Sequence, residues 1–225
     1  VDEVMDISSS STSTYPDLAN AHSIIITTDS LLSVAHDLAD LERMTGIDAE
    51  VVSLEYIYDL MSTGNPDIGA IRKFLVRLYN DYEKLQYLTF LGDASYDYKD
   101  KLSGPKSNLI PTYHTKASFS LYSSYITDDY YGYLDAGESV NWFVDDLDIG
   151  IGRIPVRSIK QAEQAVAKIE RYLTSTERFG PWRMNALWVA DDVDEGWEKE
   201  FEVVQDRLTK EFDTIRTELN NIKIY

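Results

Sequence analysis

The chain has 225 residues, 44% of them hydrophobic, enough for one domain of generous size with a real core. It carries 21 Lys+Arg against 39 Asp+Glu, a formal net charge of −18, which sets it against phosphate backbones and anionic lipid, so no nucleic-acid or membrane-surface partner is expected. With 0 Cys it can supply no disulfide, no thiolate metal site and no cysteine nucleophile, and no apolar run reaches the roughly 18 residues of a membrane span.

The start at Val1 is what a processed product or a segment cut from a longer protein would show. Residues 1–16 read as a linker, because Ser8–Thr14 is a polar run with nothing to bury. The β-branched stretch Ser23–Thr27 is expected to be a strand buried on both faces. Asp29 or Ser30 can cap a helix with Leu31, Val34, Ala35, Leu38 and Leu41 on one face, ended by Gly46. Ala49–Leu54 is a second strand. Asn65–Pro66 then offers an N-cap followed by proline at the first helical position, and Ile68, Ile71, Phe74, Leu75, Leu78 and Tyr82 form the buried stripe. Tyr87–Leu91 is a third strand, stopped by Gly92–Asp93.

Residues 93–147 are rich in Tyr, Ser, Asp and Gly and hold no long helical period. Within this insertion Tyr130–Leu134 is expected to pair with Trp142–Val144 across the turn at Asp135–Gly137. Asp148–Arg153 is a core strand with two glycines. Ser158 to Gln161 forms a capping box that opens a long helix lined by Ala162, Val166, Ile169 and Leu173. Phe179–Gly180–Pro181 breaks the chain. Asn185–Ala190 is a fresh strand, Trp197, Phe201, Val204, Leu208 and Phe212 make an amphipathic helix, and Asn221–Tyr225 is the start of a further strand.

Strand–helix alternation of this kind implies an α/β fold, a mostly parallel sheet with helices on both faces. The organisation expected is a first unit over 17–180 with the insertion at 93–147, and a second unit over 181–225 that opens and does not finish.

Acid stands at the end of successive strands, at Asp29, Asp93 and Asp191–Asp192, where open parallel sheets bind ligands. Carboxylates gathered at one rim repel unless a cation lies between them, and Ca²⁺ or Mg²⁺ suits oxygen ligands. One reading is therefore a Ca²⁺- or Mg²⁺-dependent hydrolase or phosphoacceptor using Asp29, Asp93 and Asp191. Asp191, Asp192, Asp194 and Glu195 are the candidate metal ligands, although their spacing fails the EF-hand pattern. A second reading is a protein- or sugar-binding module using the Tyr-rich loop, with Tyr125, Asp128, Asp129 and Tyr130 as its contact residues. His22, His36 and His114 stand in no metal-binding spacing, and there is no nucleophile elbow, phosphate-binding loop or dinucleotide fingerprint.

Six stretches carry a resemblance: Pro66–Arg72, Tyr87–Lys99, Ile110–Tyr113, Ser124–Gly132, Asp148–Val156 and Trp188–Asp192. In this order they resemble the N-terminal part of the catalytic region of the gingipain-like cysteine peptidases, and among them most the PorU-type sortases of the type IX secretion system. The resemblance implies two caspase-like, three-layer α/β subdomains, the first non-catalytic and the second bearing a His–Cys pair in which imidazole stabilises the attacking thiolate. The family's His and Cys lie downstream of the strand at Asn185–Ala190, and this chain stops at Tyr225 before both, so no catalytic residue carries over. The resemblance implies calcium and a specificity-setting acid near Asp191–Glu195. It also implies a catalytic half as partner, exported proteins as substrates, and a place outside the cytoplasm, at the outer membrane or cell surface.

Overall fold

The computed structural model describes residues 18–99, 101–102, 108–117, 119–120, 123–138 and 146–225. The expected linker at 1–16 and the strand at Trp142–Val144 lie outside these residues. Two compact units divide the chain at residues 1–170 and 171–225, and the Gly180–Pro181 break falls inside the second.

The first unit is built on a four-stranded, wholly parallel sheet. Its strands are β1 (Ser23–Thr27), β2 (Ala49–Ser53), β3 (Tyr87–Leu91) and β6 (Gly150–Ile154), in the order β2-β1-β3-β6. All five residues of β1 are buried, as a central parallel strand requires. Residues Ile24, Ile26, Val52, Leu88 and Phe90 share one core with Ile57, Ala70, Ile71, Phe74, Leu75 and Leu78. Those partners lie on α2 (Leu54–Ser62) and α3 (Ile68–Tyr82). The alternate residues Ile25 and Val51 face the other way, toward α1 (Leu32–Met44), whose Val34, Ala35, Leu38 and Leu41 are buried. Helices thus cover both faces.

Several local expectations are corrected. Helix α2 follows β2 with no intervening loop, capped by Ser53, whose hydroxyl accepts the Tyr56 N–H at 3.2 Å. Leu54 therefore belongs to this helix and not to the strand. Helix α3 is capped by Asp67 rather than Asn65. The Asp67 Oδ1 accepts the Gly69 N–H at 2.8 Å, and Pro66 stands before the cap. The first helix carries no side-chain cap from Asp29 or Ser30. Instead Asp29–Leu31 form a 3-10 turn leading into α1. Tyr130–Leu134 is not a strand. Asp129–Tyr131 make a 3-10 turn, and Asp148 Oδ2 accepts the N–H groups of Leu134 and Asp135 at 2.6 and 3.3 Å. The insertion also holds a short antiparallel pair, β4 (Tyr113–His114) with β5 (Ile126–Thr127).

Helix α4 (Ile159–Thr174) opens with Ser158 Oγ accepting the Gln161 N–H at 3.3 Å, while Gln161 Oε1 accepts the Arg157 N–H at 2.7 Å. The second unit holds β7 (Asn185–Val189) and β8 (Asn220–Ile224), paired in parallel, with α5 (Lys199–Ile215) between them in sequence. Trp188 packs edge-on against Phe212 at 5.4 Å, and its Nε1 donates to Asn221 Oδ1 at 2.8 Å. Leu187, Val189, Ile222 and Ile224 remain exposed. No helix of the described residues is long and apolar enough to cross a membrane.

Candidate functional site

Because β1 pairs with β2 on one side and β3 on the other, the chain leaves β1 and β3 toward opposite edges of the sheet. Such a reversal of strand order opens a crevice at the carboxyl ends of the strands. A cavity of about 810 Å³ lies there. It is bounded by Thr28 after β1, by Leu54, Glu55, Tyr58 and Asp59 of α2, by the turn Gly64–Ile68, and by Tyr98, Asn108 and the segment Leu109–His114.

The sequence builds each wall for a local reason. Helix α2 ends at Thr63 in the left-handed conformation (φ 53°), followed by Gly64 (φ 79°), whose N–H returns to the Tyr58 carbonyl at 2.9 Å. This turn carries the chain over the crevice to Asp67. Glu55 Oε2 accepts the Asp29 N–H at 3.1 Å, tying α2 to the end of β1. Tyr58 is buried in the floor. Burial, with the Glu55 and Asp67 charges beside it, pushes its phenol well above the ordinary range and keeps it neutral.

The far wall is held by Arg153. Its Nε and Nη2 donate to Asp128 at 2.7 and 2.8 Å. Its Nη1 donates to the carbonyls of Gly92 and Ile110 at 2.9 and 3.0 Å, and the guanidinium lies over the Phe90 ring at 4.7 Å. Tyr131 stacks edge-on against Phe90 at 5.0 Å and donates its hydroxyl to the Pro111 carbonyl at 2.6 Å. The loop is therefore a locked wall that presents Leu109–His114 to the cavity.

The residues singled out in the Tyr-rich loop separate. Asp128 is the partner of Arg153, and Tyr130 stacks on Tyr113 at 5.1 Å with Arg72 over its ring at 5.5 Å. The Asp129 N–H is held by Thr127 Oγ1 at 3.1 Å. Tyr125 is exposed. Of the acids at strand ends, Asp93 pairs with Arg157 at 2.5 Å and Asp29 is exposed. Asp191, Asp192, Asp194 and Glu195 follow β7 in the other unit, all exposed, with the N–H groups of Asp194 and Glu195 both donating to Glu198 Oε2. Among the described residues no group of three or more acids or histidines stands close enough together to hold a metal ion. His114 borders the cavity, while His22 and His36 do not.

Glu55, Tyr58 and Asp67 were not singled out from the sequence. The available signal was position alone: α2 opens directly at the carboxyl end of a strand, and Asp67 follows Pro66 as a cap.

The model of Peptidase family C25 matches residues 17–225. The chain belongs to peptidase family C25. An uncharacterized protein of Archaeoglobus fulgidus is 28% identical over 160 residues, 69% of this chain and 36% of that protein. Latent, dimeric PorU of Porphyromonas gingivalis superposes with a TM-score of 0.60 and 29% identity over 73% of this chain and 16% of PorU. The complex of RgpB pro- and mature domains from the same organism gives 0.58 at 19% identity, covering 91% of this chain and 42% of that one, and so speaks for the fold alone. The chain thus spans well under half the length of these family relatives. The sheet described above is the gingipain-type α/β fold, and the resemblance read from the six stretches holds.

Proposed function

We propose that this chain is the scaffold part of a C25 cysteine peptidase of the sortase type, which acts outside the cytoplasm on exported proteins. The observation that carries this reading is the family match over residues 17–225 in a chain with 0 Cys. The reaction of the family needs a thiolate, and this chain has none to give. Its own contribution is a rigid parallel sheet against which a His- and Cys-bearing half packs. The 29% identity to PorU, above that to RgpB, supports the sortase assignment over a general endopeptidase.

Two measurements test this. The purified chain is assayed on fluorogenic peptides with basic, acidic and apolar residues beside the cleaved bond, and no turnover is expected. The reading frame past Tyr225 is expected to encode a His and a Cys, and its product to cleave or transfer peptides in a reaction stopped by iodoacetamide. Hydrolysis by the chain alone, or a stop codon directly after Tyr225, would overturn the proposal.

A further inference from the structure

We propose that the arginine–aromatic cluster at residues 172–184, within the second unit, is a docking surface for a polypeptide segment that presents a carboxylate beside an apolar side chain. The inference does not depend on peptidase activity.

The cluster is built by the two 3-10 turns that follow α4, Thr176–Phe179 and Pro181–Met184. Ser175 caps the first, its hydroxyl accepting the Glu177 N–H at 3.1 Å. Gly180 joins the two, and a Cβ there would meet Trp182 Cδ1 at 2.6 Å. Trp182 in turn donates its Nε1–H to the Glu177 carbonyl at 3.1 Å. The indole is thereby fixed against the backbone with its one donor satisfied, and what it still exposes is apolar.

Two observations select the partner. The first is charge. The Arg183 guanidinium lies 5.5, 5.6 and 5.5 Å from the ring centroids of Tyr172, Phe179 and Trp182, and its Nη2 donates to the Tyr172 hydroxyl at 2.8 Å. Arg178 lies over Phe179 at 4.6 Å and donates from Nη1 to the Leu173 carbonyl. Neither arginine has a carboxylate partner among the described residues. Yet the chain as a whole carries a net charge of −18, while residues 171–184 hold Arg171, Arg178 and Arg183 against Glu177 alone. Rings take the flat faces of a guanidinium and a carboxylate takes its N–H edge, so an incoming acid adds to the cluster without displacing it. The second observation is apolar exposure. Phe179 is 67% and Trp182 50% exposed, and Tyr172 and Met184 are exposed beside them. Trp, Tyr and Arg held together in place are the residues that anchor protein interfaces, and fixed rings lose little freedom on binding.

A nucleic acid would meet the charge of the whole chain. A basic segment would meet Arg178 and Arg183. A carbohydrate stacks on ring faces, and a guanidinium already lies over each of the three rings.

Calorimetric titration of the full 225-residue chain at about 0.15 M salt, where remote acids are screened, tests the surface. The probes are the acetylated, amidated peptide Asp-Phe-Glu-Leu-Asp, its neutral counterpart Asn-Phe-Gln-Leu-Asn, and an oligogalacturonate as an acidic carbohydrate. The acidic peptide is expected to bind at one site, about ten-fold more tightly than the neutral one, although the chain it approaches is itself acidic. Arg183→Gln is expected to remove that ten-fold preference and leave the neutral peptide unaffected. Trp182→Ala is expected to weaken both peptides about ten-fold. Unfolding midpoints are recorded for each variant. Chemical-shift mapping on the unsubstituted chain, which needs no substitution, is expected to move Tyr172, Phe179, Trp182 and Arg183. Equal or tighter binding of the neutral peptide, no saturable binding of the acidic one, shifts confined to other residues, or tighter binding of the oligogalacturonate than of the acidic peptide would each overturn the proposal.

Discussion

Arg153 makes four donor contacts while its side chain is 13% exposed and that of Asp128 is 20% exposed. A charge pair this enclosed is costly to break from one side, because the survivor keeps its desolvation penalty. Asp128→Ala is expected to lower the unfolding free energy by about 3–5 kcal/mol, read as a drop in the urea midpoint at unchanged slope. Asp128→Leu combined with Arg153→Met should be milder than Asp128→Ala, because no lone charge remains. If the double variant were the worse of the two, the pair would be a net source of stability. Glu42 behaves oppositely. Burial raises its carboxyl above the ordinary value, against the weaker pull of the Ser23 hydroxyl and the Arg43 charge. The native state then holds this proton longer than the unfolded chain, so stability falls as pH rises through the window just above 4.5. Glu42→Gln is expected to match the parent below 4.5 and to exceed it at neutral pH. Stability curves that run parallel over this range would show that burial of Glu42 costs nothing.

Among the elements, the four parallel strands and helices α1, α3, α4 and α5 were legible, since each carries an apolar period with punctuation at its ends. Helix α2 was not. It starts at the residue after β2, so no turn signal separates them, and Leu54 extends the apolar run of the strand. Its cap is the last residue of that strand. Ser53→Ala is expected to cost about 1 kcal/mol and to leave β2 paired, a loss measurable by equilibrium unfolding. Tyr130–Leu134 reads as a strand because tyrosines favour strands, but its first two residues belong to the 3-10 turn Asp129–Tyr131, where Tyr131 is driven inward by burial against Phe90. Gly132 follows because nothing larger fits: a Cβ there would meet Ile151 Cδ1 at 2.6 Å and Leu147 Cδ2 at 2.8 Å. Gly132→Ala should therefore destabilise by about 1–3 kcal/mol. The cavity itself was hidden for a different reason. Strand ends could be seen in the sequence, but the order β2-β1-β3-β6, which opens the crevice, could not, and neither could the pairing of Arg153 with Asp128 twenty-five positions away.

At the scale of the whole molecule the two units differ in how much they bury. The first holds every buried hydrophobic residue among those described, while in residues 171–225 Thr209 alone is buried. Amide protection should follow, since local opening costs little where few apolar groups are buried. Deuterium exchange is expected to be slow in β1 and β3 and faster by orders of magnitude in β7 and β8. Comparable protection in both would mean that the apolar residues Leu187, Val189, Ile222 and Ile224 are covered in solution.

The late arrival of β6 bears on how the molecule is made. β1, β2 and β3 lie within residues 23–91, yet β6 waits until Gly150 before it can complete the edge of the sheet. Closing that longer loop is the entropically dearer step, and synthesis delivers its far end last. A nascent chain released only as far as β3 would present the free edge of that strand, with Arg153 and its clamp still inside the ribosome. The crevice floor would then exist before its far wall, and the protein would pass through an edge-exposed stage in which an extended segment from another chain can take the place of β6.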